Sequence, residues 1–114
     1  MPVLKIQTNQ ELSPADKVQL LTQASATVAG MLGKPERYVM VILDHNNDMC
    51  FAGSDAPLAY LELKSIGLPS GKTSEYSATL SQLLSEQLKI PPDRIYIEFA
   101  DAQRHLWGWN GGTF

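Results

Sequence analysis

The sequence predicts an α+β protein, a two-layer duplicated βαβ domain with a four-stranded mixed sheet and both helices on one face. Three observations predict this class. The order strand, helix, strand can be read twice along the chain. Two six-residue segments recur at one spacing. The segment Tyr38–Leu43 is apolar on both of its faces, as strands buried on both sides are.

The recurrence involves both halves of the chain. Val3–Thr8 resembles Tyr60–Ser65, and Pro35–Met40 resembles Pro92–Ile97. Both pairs are 57 residues apart (3 to 60 and 35 to 92), which is half of the 114 residues. Because a strand–helix–strand unit is normally a right-handed parallel crossover, two such units related by a pseudo-twofold axis give a mixed sheet.

We therefore expect one domain over residues 1–114, with internal repeats at about 2–52 and 59–110. In the first repeat, Ser13 is a helix N-cap, Pro14 takes the first helical position and Gly33 ends the helix. The apolar positions at helical spacing predict the buried face of this helix, formed by Val18, Leu21, Ser25, Val28 and Leu32.

The second repeat has the same signals. Ser70 takes the capping position of the second helix, and Pro91-Pro92 stops that helix. A last long strand is expected over Ile95–Ala100. The apolar stripe of the second helix is Tyr76, Leu80, Leu83, Leu84 and Leu88.

The connecting segments give weaker predictions. Asp44–Asp48 is a polar turn, and short strands are expected at Met49–Ala52 and Trp107–Asn110. Cys50 stands among apolar residues and is expected to be a core thiol. As the only cysteine, it allows no internal disulfide, which fits a reducing compartment.

Composition excludes several classes of protein. A hydrophobic fraction of 44% and a charged fraction of 18% are ordinary for a globular domain. A net charge of −3 without a basic block argues against a general nucleic-acid surface. No apolar run reaches the roughly 18 residues of a membrane span, and the start of the chain is too weakly apolar for a signal peptide. We expect a cytoplasmic protein, with export by a route that needs no signal peptide left open.

The predicted sheet has two faces, and the helices cover one of them. A domain of this size has no further element for the second face, so the sequence predicts an oligomer.

The residues also identify a family. The relevant motifs occur in a fixed order along the whole chain: Pro2, Gly33-Lys34-Pro35, Tyr38, Phe51-Ala52-Gly53-Ser54, Ser65-Ile66-Gly67, Pro92-Asp93-Arg94-Ile95-Tyr96-Ile97, Gly108-Trp109-Asn110 and Thr113-Phe114. Together they resemble the macrophage migration inhibitory factor and D-dopachrome tautomerase family of the tautomerase superfamily. The resemblance implies a homotrimer with active sites between subunits, and keto–enol tautomerase activity on phenylpyruvate, hydroxyphenylpyruvate or dopachrome-type substrates. It also implies that neither a cofactor nor a metal is used.

By this resemblance the catalytic base is the secondary amine of Pro2, which becomes free once Met1 is removed. A general base is most efficient when its pKa lies near the working pH, and an apolar site with a nearby cation lowers the pKa of an amine. Lys34 is the candidate cation and the candidate ligand of a substrate carboxylate. A retained Met1 turns the Pro2 nitrogen into an amide and removes the base.

The predicted topology brings several of these residues together. Pro2 and the approach to Tyr38 lie at one edge of the sheet, where the strand that ends at Ile66 also arrives. The backbone N–H of Ile66 is a candidate anion donor there. Tyr96 falls at the opposite edge, so a neighbouring subunit must supply it.

The resemblance implies that Tyr38, Trp109 and Phe114 form an aromatic wall. Two further positions depart from the family pattern. Trp107 stands where relatives often carry a smaller aliphatic residue, and Glu98 stands where the best-known member has an amide. A glutamate near the mouth of the site disfavours an anionic substrate.

Two segments resemble ligand-binding loops. Gly67–Thr73 follows a strand and precedes a helix as a P-loop does, but only three residues separate its glycines where the motif has four. Asp44–Asp48 begins like a calcium loop, but Met49 replaces the glycine and Asp55 the final glutamate. We expect neither nucleotide nor calcium binding.

Two other functions compete with the enzyme. Animal relatives act as cytokines, so a signalling or binding role without physiological catalysis is the alternative. The loop Thr8–Ser13 lacks the arginine with which the cytokine contacts its receptor. Thiol–disulfide exchange is not expected, because Leu58–Leu61 stands where the relative credited with that activity has a Cys-x-x-Cys motif.

Overall fold

The computed structural model describes residues 1–114. The chain forms two β–α–β units and a short C-terminal hairpin. The elements are β1 (Val3–Thr8), α1 (Pro14–Leu32), β2 (Met40–His45), β3 (Ala59–Ile66), α2 (Thr73–Leu88), β4 (Ile95–Ala102), β5 (Gly108–Trp109) and β6 (Gly112–Thr113). Three-residue stretches of 3₁₀ helix precede β2, α2 and β4 and follow β4.

The four long strands form one mixed sheet in the order β2-β1-β3-β4. β1 is parallel to β2 and antiparallel to β3, and β3 is parallel to β4. The predicted fold class, a four-stranded mixed sheet with two helices on one face, is confirmed.

The core lies between the sheet and the helices. Alternate residues of β1, Leu4 and Ile6 among them, are fully buried because successive side chains of a strand point to opposite faces. The predicted stripe of α2 is confirmed, since all five of its residues are buried: Tyr76, Leu80, Leu83, Leu84 and Leu88.

The predicted buried face of α1 is correct only in part. Val28 is buried and Leu32 packs against the core, as predicted. The other buried residues are Leu20 and Ala24, while Val18 is 65% exposed. The sequence carries apolar residues on more than one side of α1, and the predicted stripe therefore includes the exposed Val18.

Several boundaries differ from the predictions. Tyr38 lies in a 3₁₀ turn, Glu36–Tyr38, and β2 begins two residues later and includes Asp44 of the predicted turn. The helix α2 begins at Thr73 because Ser70–Lys72 forms another 3₁₀ turn. β4 continues two residues beyond the predicted Ala100.

The segment Met49–Ala52 is not a strand. It makes only an isolated bridge between Phe51 and Ser54, and Cys50 is exposed and not the predicted core thiol. The strand predicted at Trp107–Asn110 is shorter, and it is one arm of the β5–β6 hairpin. Asn110 and Gly111 both have positive φ, as a two-residue hairpin turn requires.

The other face of the sheet has no helix over it. On β2, Met40 is 58% and Ile42 38% exposed. Charged side chains lie on β3, which β1 separates from β2, and Lys64 pairs there with Glu62 at 3.7 Å. Neither helix is long and apolar enough to cross a membrane.

Candidate active site

The start of the chain is held at one edge of the sheet. Pro2 is fully buried, and its carbonyl accepts a hydrogen bond from the Met40 N–H at 3.0 Å. The terminal amine of Met1 donates to the Tyr38 carbonyl at 2.9 Å. These two bonds fix the N-terminus between β1 and the approach to β2.

Lys34 is brought to this edge by the end of α1. Gly33 adopts the left-handed conformation (φ 63°), and the Lys34 N–H then donates to the Ala29 carbonyl at 3.0 Å. Burial is the larger cause that lowers the pKa of the Met1 amine below its ordinary value of about 8, and the positive charge of Lys34 is the second. Both disfavour the protonated form of the amine.

An aromatic cluster stands beside the N-terminus. The ring of Tyr38 meets Trp109 edge to face at 5.4 Å and Phe114 at 5.6 Å, and Trp109 stacks on Phe114 at 5.2 Å. The Phe114 N–H donates to the Trp107 carbonyl at 3.1 Å, which closes the C-terminal hairpin against this cluster. The Asn110-Gly111 pair that turns this hairpin is the sequence signal that would have found it.

A pocket of about 220 Å³ opens between these groups. Four of the predicted site residues line it, together with Met1 and Arg37: Tyr38, Trp107, Trp109 and Phe114. The largest concavity of the protein, about 640 Å³, lies elsewhere, on the serine-rich outer face of α2, and no titratable side chain lines it. The N-terminal pocket is therefore the candidate active site.

Ile66 ends β3 at the same edge as the N-terminus. Val3 pairs with Lys64, so Ile66 extends β3 past the first residue of β1, and it pairs with Ala102 of β4. Ile66 is 6% exposed and does not line the pocket within one chain.

Tyr96 lies near the start of β4, at the opposite edge of the sheet as expected from the topology, and Glu98 follows two residues later. Tyr96 pairs with Tyr60 beside the far end of β1, is 65% exposed, and contacts the Phe51 ring at 4.6 Å. Glu98 accepts a hydrogen bond from the Tyr60 hydroxyl at 2.6 Å. That bond is the largest cause that raises the pKa of Tyr60. Within one chain neither residue joins the pocket.

Arg94 was missed by the sequence analysis as a structural anchor. Its guanidinium donates to four backbone carbonyls at 2.9–3.1 Å, those of Phe51, Ser54, Ala56 and Pro57. The arginine thereby holds the loop that carries Phe51 against Tyr96. Nothing in the local pattern around Arg94 indicates these partners, because they lie 37 to 43 residues away along the chain.

The two loops that resemble ligand sites have internal partners. The Leu68 N–H, in the segment that resembles a P-loop, donates to the Asp101 carboxylate at 3.0 Å. In the segment that resembles a calcium loop, the Asn46 side chain accepts from the Asp48 N–H at 2.9 Å and forms a local turn. No group of three or more His, Cys, Asp or Glu side chains is arranged to hold a metal ion.

The fold and the pocket together define a class: small α+β proteins of two βαβ units whose N-terminus opens onto an aromatic pocket. The family model described as macrophage migration inhibitory factor matches residues 1–114. A macrophage migration inhibitory factor homologue from Trichuris trichiura is 40% identical over the whole of both chains. The protein of that name from Meriones unguiculatus is 38% identical, with 100% of this chain and 99% of the relative covered.

Solved structures agree. The homologue from Prochlorococcus marinus has a TM-score of 0.91 at 42% identity, with 98% of both chains covered. The chain belongs to the macrophage migration inhibitory factor family, as the sequence motifs predicted.

Proposed function

We propose that the protein is a cofactor-independent keto–enol tautomerase acting on phenylpyruvate-type substrates, including hydroxyphenylpyruvate and dopachrome-like compounds. Its general base is the Pro2 amine, which removal of Met1 sets free. One observation carries the proposal: the terminal amine of Met1 lies at an aromatic pocket, and burial and the charge of Lys34 both lower its pKa. We expect the same two causes to act on the Pro2 nitrogen once Met1 is removed, because Pro2 is the next residue and is buried.

The proposed reaction moves one proton. In the enolising direction, the neutral Pro2 nitrogen takes a proton from the carbon next to the carbonyl of an α-keto acid. The carbon–carbon double bond forms as the electron pair of the broken C–H bond shifts towards the carbonyl, and the protonated Pro2 nitrogen then returns its proton to the carbonyl oxygen, which leaves the amine neutral again. Ketonisation is the reverse. Lys34 holds the substrate carboxylate, and the Ile66 N–H stabilises the negative charge that develops on oxygen.

The remaining residues of the pocket contact the ring of the substrate. Tyr38, Trp107, Trp109 and Phe114 provide aromatic surface for a planar ring. One chain offers about 220 Å³, less than the roughly 300–1,000 Å³ of ordinary small-molecule sites. We propose a homotrimer in which Tyr96 of the partner subunit and Glu98 of the partner subunit complete the site.

The first experiment measures ketonisation of enol phenylpyruvate by protein whose intact mass proves that Met1 is absent. We expect turnover that falls by at least about 10²-fold in Pro2→Gly, the scale of a lost general base. A matched control inserts Ala between Met1 and Pro2, which keeps the proline but acylates its nitrogen, and it should be equally inactive. Turnover by the inserted variant at the wild-type rate contradicts the proposal.

A second experiment tests whether the sites lie between subunits. Pro2→Gly and Tyr96→Ala chains are prepared separately and then assembled together. In mixed trimers some sites combine an intact Pro2 with an intact Tyr96, so activity should exceed that of either variant alone. Activity equal to the average of the two parents contradicts a shared site.

A further inference from the structure

Arg37 has no role in the mechanism above, yet it lines the same pocket as Tyr38, Trp109 and Phe114. Its guanidinium carbon lies 4.7 Å from the centroid of the Tyr38 ring. A guanidinium stacked on a ring keeps its N–H groups in its own plane, where they remain available to a planar anion. Arg37 therefore presents its hydrogen-bond donors beside the Tyr38 ring.

Within one chain, no carboxylate neutralises the charge of Arg37. Lys64 and Glu62 form the one ion pair, and the guanidinium of Arg37 makes no hydrogen bond. The adjacent carboxylate of Glu36 accepts from the Ser25 hydroxyl at 2.9 Å and is held towards α1. Arg37 thus leaves an uncompensated positive charge at an aromatic pocket.

Lys34 has no carboxylate partner either. Its charge acts at the terminal amine, whereas the charge of Arg37 stands over the outer aromatic wall. Lys34 and Arg37 are therefore two separate cations, one acting at the terminal amine of Met1 and the other lining the aromatic pocket. One carboxylate on a ligand satisfies only one of these cations.

We propose that Arg37 binds substrate and that the preferred substrates are planar conjugated acids with a second anionic group at the end remote from the reacting carbonyl. The inference names the substrate class of the site proposed above and rests on that proposal. The first carboxylate pairs with Lys34, and the second accepts in-plane hydrogen bonds from Arg37. A bidentate arginine–carboxylate contact gives orientation as well as affinity.

Binding of two matched probes tests this inference, with quenching of Trp107 and Trp109 fluorescence as the readout. The probes are trans-cinnamate, with one carboxylate, and trans-4-carboxycinnamate, with a second one at the far end of the same ring. We expect protein lacking Met1 to bind the dicarboxylate about tenfold more tightly, the scale of one charge-assisted contact. Added salt should reduce this preference.

Variants assign the preference to one residue. Arg37→Gln should bind both probes with equal affinity, and Arg37→Lys should retain part of the preference. Lys17→Gln removes a charge from the other end of α1 and should behave as wild type. An Arg37→Gln protein that still prefers the dicarboxylate, or a wild type without preference, overturns the inference.

The binding measurement does not depend on proton transfer. Protein that discriminates the probes through Arg37 but does not ketonise enol phenylpyruvate contradicts the tautomerase proposal and supports the Arg37 contact. Protein that ketonises the enol but binds both probes alike contradicts the Arg37 contact alone.

Discussion

Lys34 links the end of α1 to the chemistry at the N-terminus. The bond from its N–H to the Ala29 carbonyl fixes the backbone, while its charge lowers the pKa of the terminal amine. A lowered amine pKa means that the neutral base persists to lower pH. Activity should therefore rise as pH rises through that pKa and then level off.

We predict that Lys34→Met shifts this rise in kcat/KM to higher pH, because the cation that opposes protonation is gone. The shift should be partial, since burial is the larger cause and remains. The plateau of kcat/KM should fall about 10- to 100-fold through loss of the charged hydrogen bond to substrate. Lys17→Met is the matched control. An unshifted pH profile in Lys34→Met would contradict the proposal that Lys34 lowers the pKa of the base.

Single residues were only partly predictable from the sequence. Tyr38, Trp109 and Phe114, which the family motifs mark, line one pocket together with Trp107, which departs from the family pattern. Their catalytic roles, and those of Pro2, stay predictions. The structural role of Arg94 could not be predicted, because its four carbonyl partners come together only in the tertiary structure.

Arg94→Met should destabilise the protein by about 2–4 kcal/mol, since it leaves four backbone carbonyls in a partly buried loop without their charged donor. Urea unfolding measures the change. The exposed Arg104, whose side chain makes no hydrogen bond, gives the matched control Arg104→Met. Equal stability of the two variants would show that the loop does not depend on Arg94.

At the scale of elements, the buried face of α2 was predicted correctly and that of α1 only in part. The stripe of α2 has five large apolar residues on one face, so only one phase is possible. Along α1 the buried face includes the small Ala24, and exposed Val18 competes with it in the sequence. Periodicity cannot rank two apolar faces on one helix, because the choice is made by the sheet against which the helix packs.

The C-terminus of α1 offers a matched pair of glycines. A Cβ at Gly30 or Gly33 meets no atom within 4 Å, but only Gly33 has positive φ. Gly30→Ala should stabilise the protein by up to about 1 kcal/mol, because glycine costs that much in a helix interior. Gly33→Ala should destabilise it by about 1–2 kcal/mol, the cost of the left-handed conformation. Thermal unfolding of both variants checks the opposite signs.

At the scale of the molecule, the sheet face that no helix covers is the candidate surface for assembly. Met40 and Ile42 are exposed on a sheet whose other face is covered by helices. The sequence predicted the need for a cover, because β2 is apolar on both sides. It did not predict the charged residues beside Ile42 on this face, Lys5, Glu62 and Lys64, which line a shallow pocket with it.

If copies of the chain cover this face, Ile42→Asp should reduce the homotrimer to smaller species, because assembly would bury an unpaired carboxylate. Val18→Asp places the same charge on an exposed apolar site of α1 and should leave the mass unchanged. Size-exclusion chromatography with light scattering measures both. Unchanged mass in Ile42→Asp would mean that this part of the sheet is not an interface.

The central claim is that the Pro2 nitrogen is the base. The most direct measurement labels proline with ¹⁵N, follows the Pro2 resonance through a pH titration, and compares its pKa with that of the kcat/KM profile for enol phenylpyruvate. We expect the two pKa values to coincide and to lie below the ordinary range of a terminal amine. A Pro2 nitrogen that titrates at an ordinary value, while activity follows a different pKa, would contradict it.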